Sequence, residues 1–124
     1  MPQTILIVDD EPSVLAIVEI ILNRAGYRVL TSLDPRRALE HCETPGLHVD
    51  LLLTDVVMPA LDGPQLAGLF RQKSPRTKVL FMTGHAARRG LSTTDIVLRK
   101  PFRPSELVET VVRTLAKAAS AGAG

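Results

Sequence analysis

The chain has 124 residues, of which 45% are apolar and 23% charged, a composition typical of one folded domain with its own core. Aromatic residues make up only 3% and tryptophan is absent, which argues against functions that need ring stacking, such as flavin binding or a single-stranded nucleic-acid platform. Lys and Arg outnumber Asp and Glu by 15 to 13, a net charge of +2 without a basic run, so we expect no direct nucleic-acid binding.

The cysteine content and the hydropathy pattern indicate a cytoplasmic domain. The single cysteine, Cys42, cannot form an internal disulfide and is expected to be a small buried side chain on a helix. No apolar run approaches the roughly 18 residues that a membrane span requires, and the N-terminus lacks a basic targeting segment, so we predict no membrane association. Residues 1–118 are predicted to form the domain, and residues 119–124, rich in Ala and Gly, a flexible tail.

Short apolar runs alternate with helical periods along the chain, which predicts an α/β fold with a doubly wound parallel sheet. The third run is apolar on both faces apart from Asp50, as expected of a central strand covered by helices on each side. Five strands are predicted from these runs: residues 5–8, 27–31, 49–54, 78–82 and 96–99.

Helices are predicted between these strands. The first begins at Pro12, has a broad apolar stripe and ends at Gly26, a residue suited to the position after a helix. The second begins after Asp34, the third after Asp62, and the last at Pro104. The second helix is expected to carry its apolar residues on one side: Ala38, Leu39 and Cys42.

Polar residues stand at the ends of four predicted strands. Asp9 and Asp10 follow the first strand, Asp55 the third, Thr83 the fourth, and Lys100 the fifth. Because the C-terminal ends of parallel strands lie at one edge of the sheet, where open α/β sheets bind their ligands, we expect these side chains to share one cleft.

The predicted cleft crowds three carboxylates together. Two carboxylates about 5 Å apart repel by roughly 3 kcal/mol at an effective dielectric near 20, so a proton or a cation must reside there. Oxygen ligands without His or Cys favour a hard cation, and the small number of protein ligands favours Mg²⁺ together with a phosphate ligand. Lys100 and the Thr83 hydroxyl can then bind phosphoryl oxygens, while Asp55, alone on the central strand, can act as the nucleophile.

Four motifs together resemble the receiver domain of two-component response regulators over nearly the whole chain. The acidic pair after the first strand and Thr83-Gly84 are two of them. The others are Thr54-Asp55-Val56-Val57-Met58-Pro59 with Asp62-Gly63, and Lys100-Pro101-Phe102. Any one of these motifs is weak evidence, but the ordered set at successive strand ends is highly specific.

This resemblance implies a flavodoxin-like sheet of order 2-1-3-4-5 and Mg²⁺-dependent transfer of a phosphoryl group from the phosphohistidine of a histidine kinase to Asp55. It implies that Asp10 binds Mg²⁺ directly, Asp9 through water, and that Asp55 and the backbone carbonyl of Val57 complete the protein ligands. It also implies a cis peptide bond before Pro101 and, as partners, a sensor histidine kinase or phosphotransfer protein and a downstream protein of unknown identity. The domain itself is then a phosphoacceptor rather than an enzyme.

Two features depart from the family pattern. Val97 stands where receivers commonly carry an aromatic switch residue, three positions before Lys100. The fourth helix is predicted to be shortened to about one turn, over residues 86–90. The face around this segment is basic and is a candidate surface for the downstream partner, through four arginines: Arg88, Arg89, Arg99 and Arg103.

The sequence leaves several alternatives open. The chain is either a stand-alone receiver or part of a hybrid histidine kinase, to whose receivers its motifs look similar. A phosphoaspartate-type phosphatase would also use a strand-end Asp and Mg²⁺, but normally has a second Asp where this chain has Val57. A flavodoxin-like electron carrier would need a hydroxyl-rich phosphate loop after the first strand, where this chain has the acidic sequence Asp9-Asp10-Glu11.

Overall fold

The computed structural model describes residues 2–84, 90–92 and 94–117, and a five-stranded sheet forms its centre. All neighbouring strands are parallel and their order is 2-1-3-4-5, which confirms the doubly wound sheet and the order implied by the family resemblance. The strands are β1 (Thr4–Val8), β2 (Arg28–Ser32), β3 (Leu51–Asp55), β4 (Lys78–Thr83) and β5 (Val97–Arg99).

In the described residues, four α-helices and one 3₁₀ helix connect the strands or follow them. The predicted first residues of the helices are confirmed. The side chains of Asp34 and Asp62 cap the second and third helices, and Pro12 and Pro104 begin the first and the last. Their bounds are α1 (Pro12–Arg24), α2 (Pro35–Ala38), a 3₁₀ helix (Leu39–Glu43), α3 (Gly63–Lys73) and α4 (Pro104–Ala116). No helix in the described part of the chain combines the length and apolar character needed to cross a lipid bilayer.

The second helix differs from its prediction. It ends as an α-helix at Ala38 and continues as a 3₁₀ helix. A 3₁₀ helix has three residues per turn, so Leu39 and Cys42 lie on the same side, and both are partly buried against the core. The predicted helical turn over residues 86–90 and the predicted tail fall almost entirely on residues 85–89 and 118–124, which lie outside the described residues.

Two apolar cores lie on opposite faces of the sheet. Helices α1 and α4 cover one face, where Leu22 and Val111 pack on residues of β1 and β3 such as Ile7 and Leu53. Helices α2 and α3 and the 3₁₀ helix cover the other face, where Phe70 is fully buried. Every residue of β3 is buried, as predicted for a central strand, and every residue of β1 is buried as well. Asp9, which follows β1, and Asp55, which ends β3, therefore extend from strands that are packed on both faces.

Candidate functional site

The register of the strands brings the predicted polar residues to one edge of the sheet. Val8 pairs with Thr54, so Asp9 lies beside Asp55, the last residue of β3. Thr83 ends the neighbouring strand β4, and Lys100 follows β5. The convergence expected from the sequence is therefore present in the structure.

Asp9 is fully buried and both of its carboxylate oxygens have partners. Oδ1 accepts a hydrogen bond of 2.9 Å from the backbone N–H of Glu11, which holds the start of the loop before α1. Oδ2 accepts a hydrogen bond of 3.0 Å from Nζ of Lys100. These two hydrogen bonds hold the Asp9 carboxylate in one position at the base of the cleft.

Asp55 is buried, with 11% of its side chain exposed. Its Oδ1 accepts a 2.7 Å hydrogen bond from the backbone N–H of Val56, and its Oδ2 lies 3.2 Å from Nζ of Lys100. The Thr54 hydroxyl donates to the backbone carbonyl of Asp55 at 2.9 Å. The backbone and both oxygens of this aspartate are thus held in one position.

Lys100 joins two of the carboxylates. Its ammonium group contacts both Asp9 and Asp55, and its backbone N–H donates to the carbonyl of Thr83 at 2.8 Å, so pairing of the last two strands continues into the site. The peptide bond between Lys100 and Pro101 is cis, as the family resemblance implies.

The proximity of these charges changes their ionisation. Burial raises the pKa of the Asp55 carboxyl; the Lys100 ammonium opposes this rise and the Asp9 carboxylate adds to it. Burial disfavours the ammonium form of Lys100, but the hydrogen bond that its ammonium donates to Asp9 and the charge of Asp55 outweigh this effect and raise the pKa of the lysine. Lys100 therefore stays charged at neutral pH and partly compensates the acidic site.

The acidic residues form a cluster suited to a hard cation. One carboxylate oxygen from each of Asp9, Asp10 and Asp55 lies within 4.8 Å of the others. Asp10 is exposed, whereas Asp9 is engaged with Glu11 and Lys100. An oxygen-only donor set of this kind fits a hard divalent cation, because hard cations prefer carboxylate and water ligands.

Two further predicted site residues flank this cluster. Thr83 is buried at the end of β4, one position beyond the register partner of Asp55. The side chain of Val57 is 58% exposed in the loop that follows β3, two positions after Asp55. Both residues therefore lie close in sequence or register to Asp55.

Sequence reasoning missed three backbone contributions to the site. The N–H groups of Glu11 and Val56 bind the two buried carboxylates, and every residue type except proline offers such a donor. At Gly63, a Cβ atom would clash with the carbonyl oxygen of Asp55, and the Gly63 N–H donates to Val56 at 2.9 Å. The Asp62-Gly63 motif was a visible signal, but it predicts a helix start and not this close contact.

The basic face is described only in part. Arg99 and Arg103 are exposed, and neither forms an ion pair with another described residue. Arg99 pairs in register with Thr83, so the basic face begins beside the site. Arg88 and Arg89 lie outside the described residues.

The doubly wound sheet, with three clustered carboxylates and a lysine at the C-terminal edge of its strands, defines an α/β domain with a charged site suited to a hard cation. Comparison with known proteins identifies its family. The model of the response regulator receiver domain matches residues 5–112, and the chain belongs to this family. Receiver domains act in two-component systems and are phosphorylated on an aspartate.

Two curated relatives illustrate the range of proteins that contain such a domain. The chain is 35% identical over 112 residues to the alkaline phosphatase synthesis transcriptional regulatory protein PhoP of Bacillus subtilis, covering 86% of this chain and 46% of that protein. It is 36% identical over 119 residues to the sensor kinase CckA of Brucella abortus, covering 92% of this chain and 13% of the kinase. The chain thus spans half or less of the length of these relatives.

Solved structures give the same result. A response regulator receiver protein from Sinorhizobium medicae aligns with a TM-score of 0.82 and 30% identity, covering 92% of this chain and 94% of that one. The receiver domain of the hybrid histidine kinase CckA aligns with a TM-score of 0.78 and 34% identity, covering 90% of this chain and 98% of that one. The fold and the family prediction are both confirmed.

Proposed function

We propose that Asp55 is the phosphoacceptor of this receiver domain and that phosphorylation switches the binding of a downstream protein. The observation that carries this proposal is the position of its carboxylate at the end of the buried central strand, 3.2 Å from Lys100 and within the acidic cluster. Asp9 is committed to two hydrogen bonds deep in the domain, and Asp10 is exposed at the rim. Of the two carboxylates that Lys100 contacts, Asp55 is the one open to solvent, since its side chain is 11% exposed and that of Asp9 is fully buried.

The nucleophile in the proposed phosphoryl transfer is the ionised carboxylate of Asp55. An oxygen of Asp55 forms a bond to phosphorus as the N–P bond of the donor phosphohistidine breaks, and the departing imidazole takes the electron pair. No general base is needed, because an aspartate is already ionised at neutral pH unless its pKa rises by several units. Lys100 offsets part of the upward pKa shift and supplies an ammonium for the phosphoryl oxygens.

A divalent cation is part of the proposal, with Mg²⁺ as the expected ion. Asp10, Asp55 and the backbone carbonyl of Val57 would hold it, with Asp9 acting through water because Lys100 and Glu11 occupy its oxygens. When bound, the ion supplies positive charge that neutralises phosphoryl oxygens during transfer. Thr83, beside the cleft, is proposed to donate its hydroxyl to the transferred phosphoryl group.

The partners follow from this role. We propose a sensor histidine kinase or a phosphotransfer protein as the donor, and a cytoplasmic location, since the one cysteine of the chain, Cys42, is a free thiol. The downstream protein is proposed to present acidic side chains to the basic face that includes Arg99 and Arg103. The relatives allow both a stand-alone receiver and a receiver within a hybrid kinase.

The proposal is tested by phosphorylating the chain with acetyl phosphate and Mg²⁺. Intact mass should show one acid-labile phosphoryl group on the wild type and none on Asp55→Asn. Asp50→Asn is a matched control, because Asp50 directly precedes β3, at the end of the strand opposite Asp55. Its side chain accepts a hydrogen bond from the backbone N–H of Thr4. Equal labelling of the wild type and Asp55→Asn would refute the acceptor assignment. Rapid turnover of added phosphomonoesters would indicate a phosphatase instead.

A further inference from the structure

The first turn of α3 is packed directly onto the backbone of the acceptor strand. The N–H of Gly63 donates to the carbonyl of Val56, and no side chain fits between Gly63 and the Asp55 carbonyl. Asp62 and Gln65 cap the same turn through two reciprocal hydrogen bonds of 3.0 and 2.9 Å. The loop after Asp55 and the start of α3 therefore form one packed unit.

The connection between β4 and β5 is attached to the same helix at two points. We call its described residues, 90–92 and 94–96, the connecting segment. At its start, Gly90 approaches Pro64 so closely that an added Cβ would lie 3.1 Å from Cγ of the proline. Near its end, Asp95 forms an ion pair with Arg71 at 3.7 Å, and between these points Leu91 packs against the core beneath α3.

Many receivers carry an aromatic switch residue three positions before the lysine, but this chain has Val97 there, which has no aromatic ring. Val97 is partly buried, packs against the same core as Phe81 and pairs with it in register. A β-branched side chain has little rotational freedom, so Val97 offers no large side-chain displacement. A signal from Asp55 needs another element whose contacts differ between the two states.

We propose that α3 transmits the phosphorylation state of Asp55 to the connecting segment, through the Pro64–Gly90 contact and the Arg71–Asp95 ion pair. This inference rests on the proposed function of Asp55. A helix moves as a rigid body, so a shift of its first turn displaces both attachment points of the connecting segment together. The surface presented to a partner then changes without a swinging aromatic residue.

The test uses beryllofluoride with Mg²⁺ as a mimic of the phosphoryl group on the ¹⁵N-labelled 124-residue chain. Amide resonances of the connecting segment should shift in the wild type when beryllofluoride is added. The double variant Pro64→Ala with Asp95→Asn should lose these shifts while Val56 and Val57 still respond. Asparagine keeps an acceptor for the Ser92 N–H, which Asp95 Oδ2 binds at 2.8 Å, so local structure is retained. Gln72→Ala, on the exposed side of α3, is the control and should behave as the wild type.

Two results would overturn the inference. One is a wild type in which the connecting segment does not respond although Asp55 does, and the other is a double variant in which the segment responds as in the wild type. Labelling with acetyl phosphate separates these results from failure of the proposed function. Absence of phosphoryl transfer to Asp55 in the wild type would refute the function, whereas normal transfer without a response in the segment refutes only the route through α3.

Discussion

The close contact at Gly63 makes a quantitative prediction for Gly63→Ala. The new Cβ would overlap the Asp55 carbonyl oxygen and lie 3.0 Å from Cα of Val56, whereas carbon atoms normally stay about 3.5 Å or more from other heavy atoms. The first turn of α3 must therefore move away, which strains the packing and weakens the hydrogen bond from Gly63 to Val56. Overpacking of this kind costs about 1 to 3 kcal/mol and a lost hydrogen bond about 1 kcal/mol.

The expected loss is thus about 2 to 4 kcal/mol of unfolding free energy. The entropy of unfolding of a 124-residue domain is about 0.26 kcal/mol/K, so Tm should fall by roughly 8 to 15 °C. Because the displaced turn is attached to the backbone of Asp55, labelling by acetyl phosphate should also slow by about tenfold or more. Differential scanning calorimetry and intact mass measure the two effects.

Gly68→Ala is the matched control, since Gly68 lies in the same helix and a Cβ there meets no atom within 4 Å. Alanine favours a helix over glycine by about 1 kcal/mol, so Tm should rise by roughly 4 °C and labelling should be unchanged. A Gly63→Ala protein that melts and labels like the wild type would show that the contact with Asp55 does not constrain the site.

Three further predictions concern the cation, the lysine and the loop. Mg²⁺ at ten times its Kd should stabilise the wild type by about 1.4 kcal/mol, and Asp10→Asn should lose most of this gain in a thermal shift assay. Lys100→Met should cost about 3 kcal/mol at pH 7 by calorimetry, because it leaves Asp9 and Asp55 without their counter-ion. Ala60→Gly should raise stability to urea by about 1 kcal/mol, since Ala60 has a positive φ of 72°.

The controls follow from the same contacts. The loss in Lys100→Met should shrink on acidification, because a carboxyl whose pKa is raised in the folded state destabilises the fold only while ionised, and this cost disappears as the pH falls through that pKa. If the loss of stability in Lys100→Met does not change between pH 7 and pH 4, Lys100 is not the counter-ion of the buried carboxylates.

Ala67→Gly, in the interior of α3, should destabilise the protein, in contrast to Ala60→Gly. An Asp10→Asn protein that keeps the full Mg²⁺ effect would place the cation elsewhere.

The sequence was sufficient to predict which side chains gather at the sheet edge. Asp9, Asp55 and Lys100 follow or end runs whose apolar patterns mark them as strands, and parallel strands bring their ends together regardless of finer detail. The strand order was not deduced from these patterns and was expected only from the family resemblance. In the structure, Asp9 and Asp55 lie together because β1, which Asp9 follows, and β3, which Asp55 ends, are neighbouring strands in the sheet.

Other features depend on distances that no local pattern encodes. The sharing of Lys100 between two carboxylates depends on where the end of β5 places one ammonium group. The ion pair between Arg71 and Asp95 joins residues from separate segments, and neither lies in a motif. The sequence predicted an α-helix through Leu39 and Cys42, but the chain forms a 3₁₀ helix there and still packs both side chains against the core.

The three-residue length of β5 has a consequence for local unfolding. Lys100 directly follows this short strand at the edge of the sheet, whereas Asp9 follows and Asp55 ends a strand that is buried along its whole length. Edge elements with few hydrogen bonds open at lower free energy than central ones, so the lysine can leave its carboxylates while the rest of the domain stays folded. The amide of Lys100, bonded to Thr83, should accordingly exchange with solvent much faster than the amides of Leu52 and Leu53.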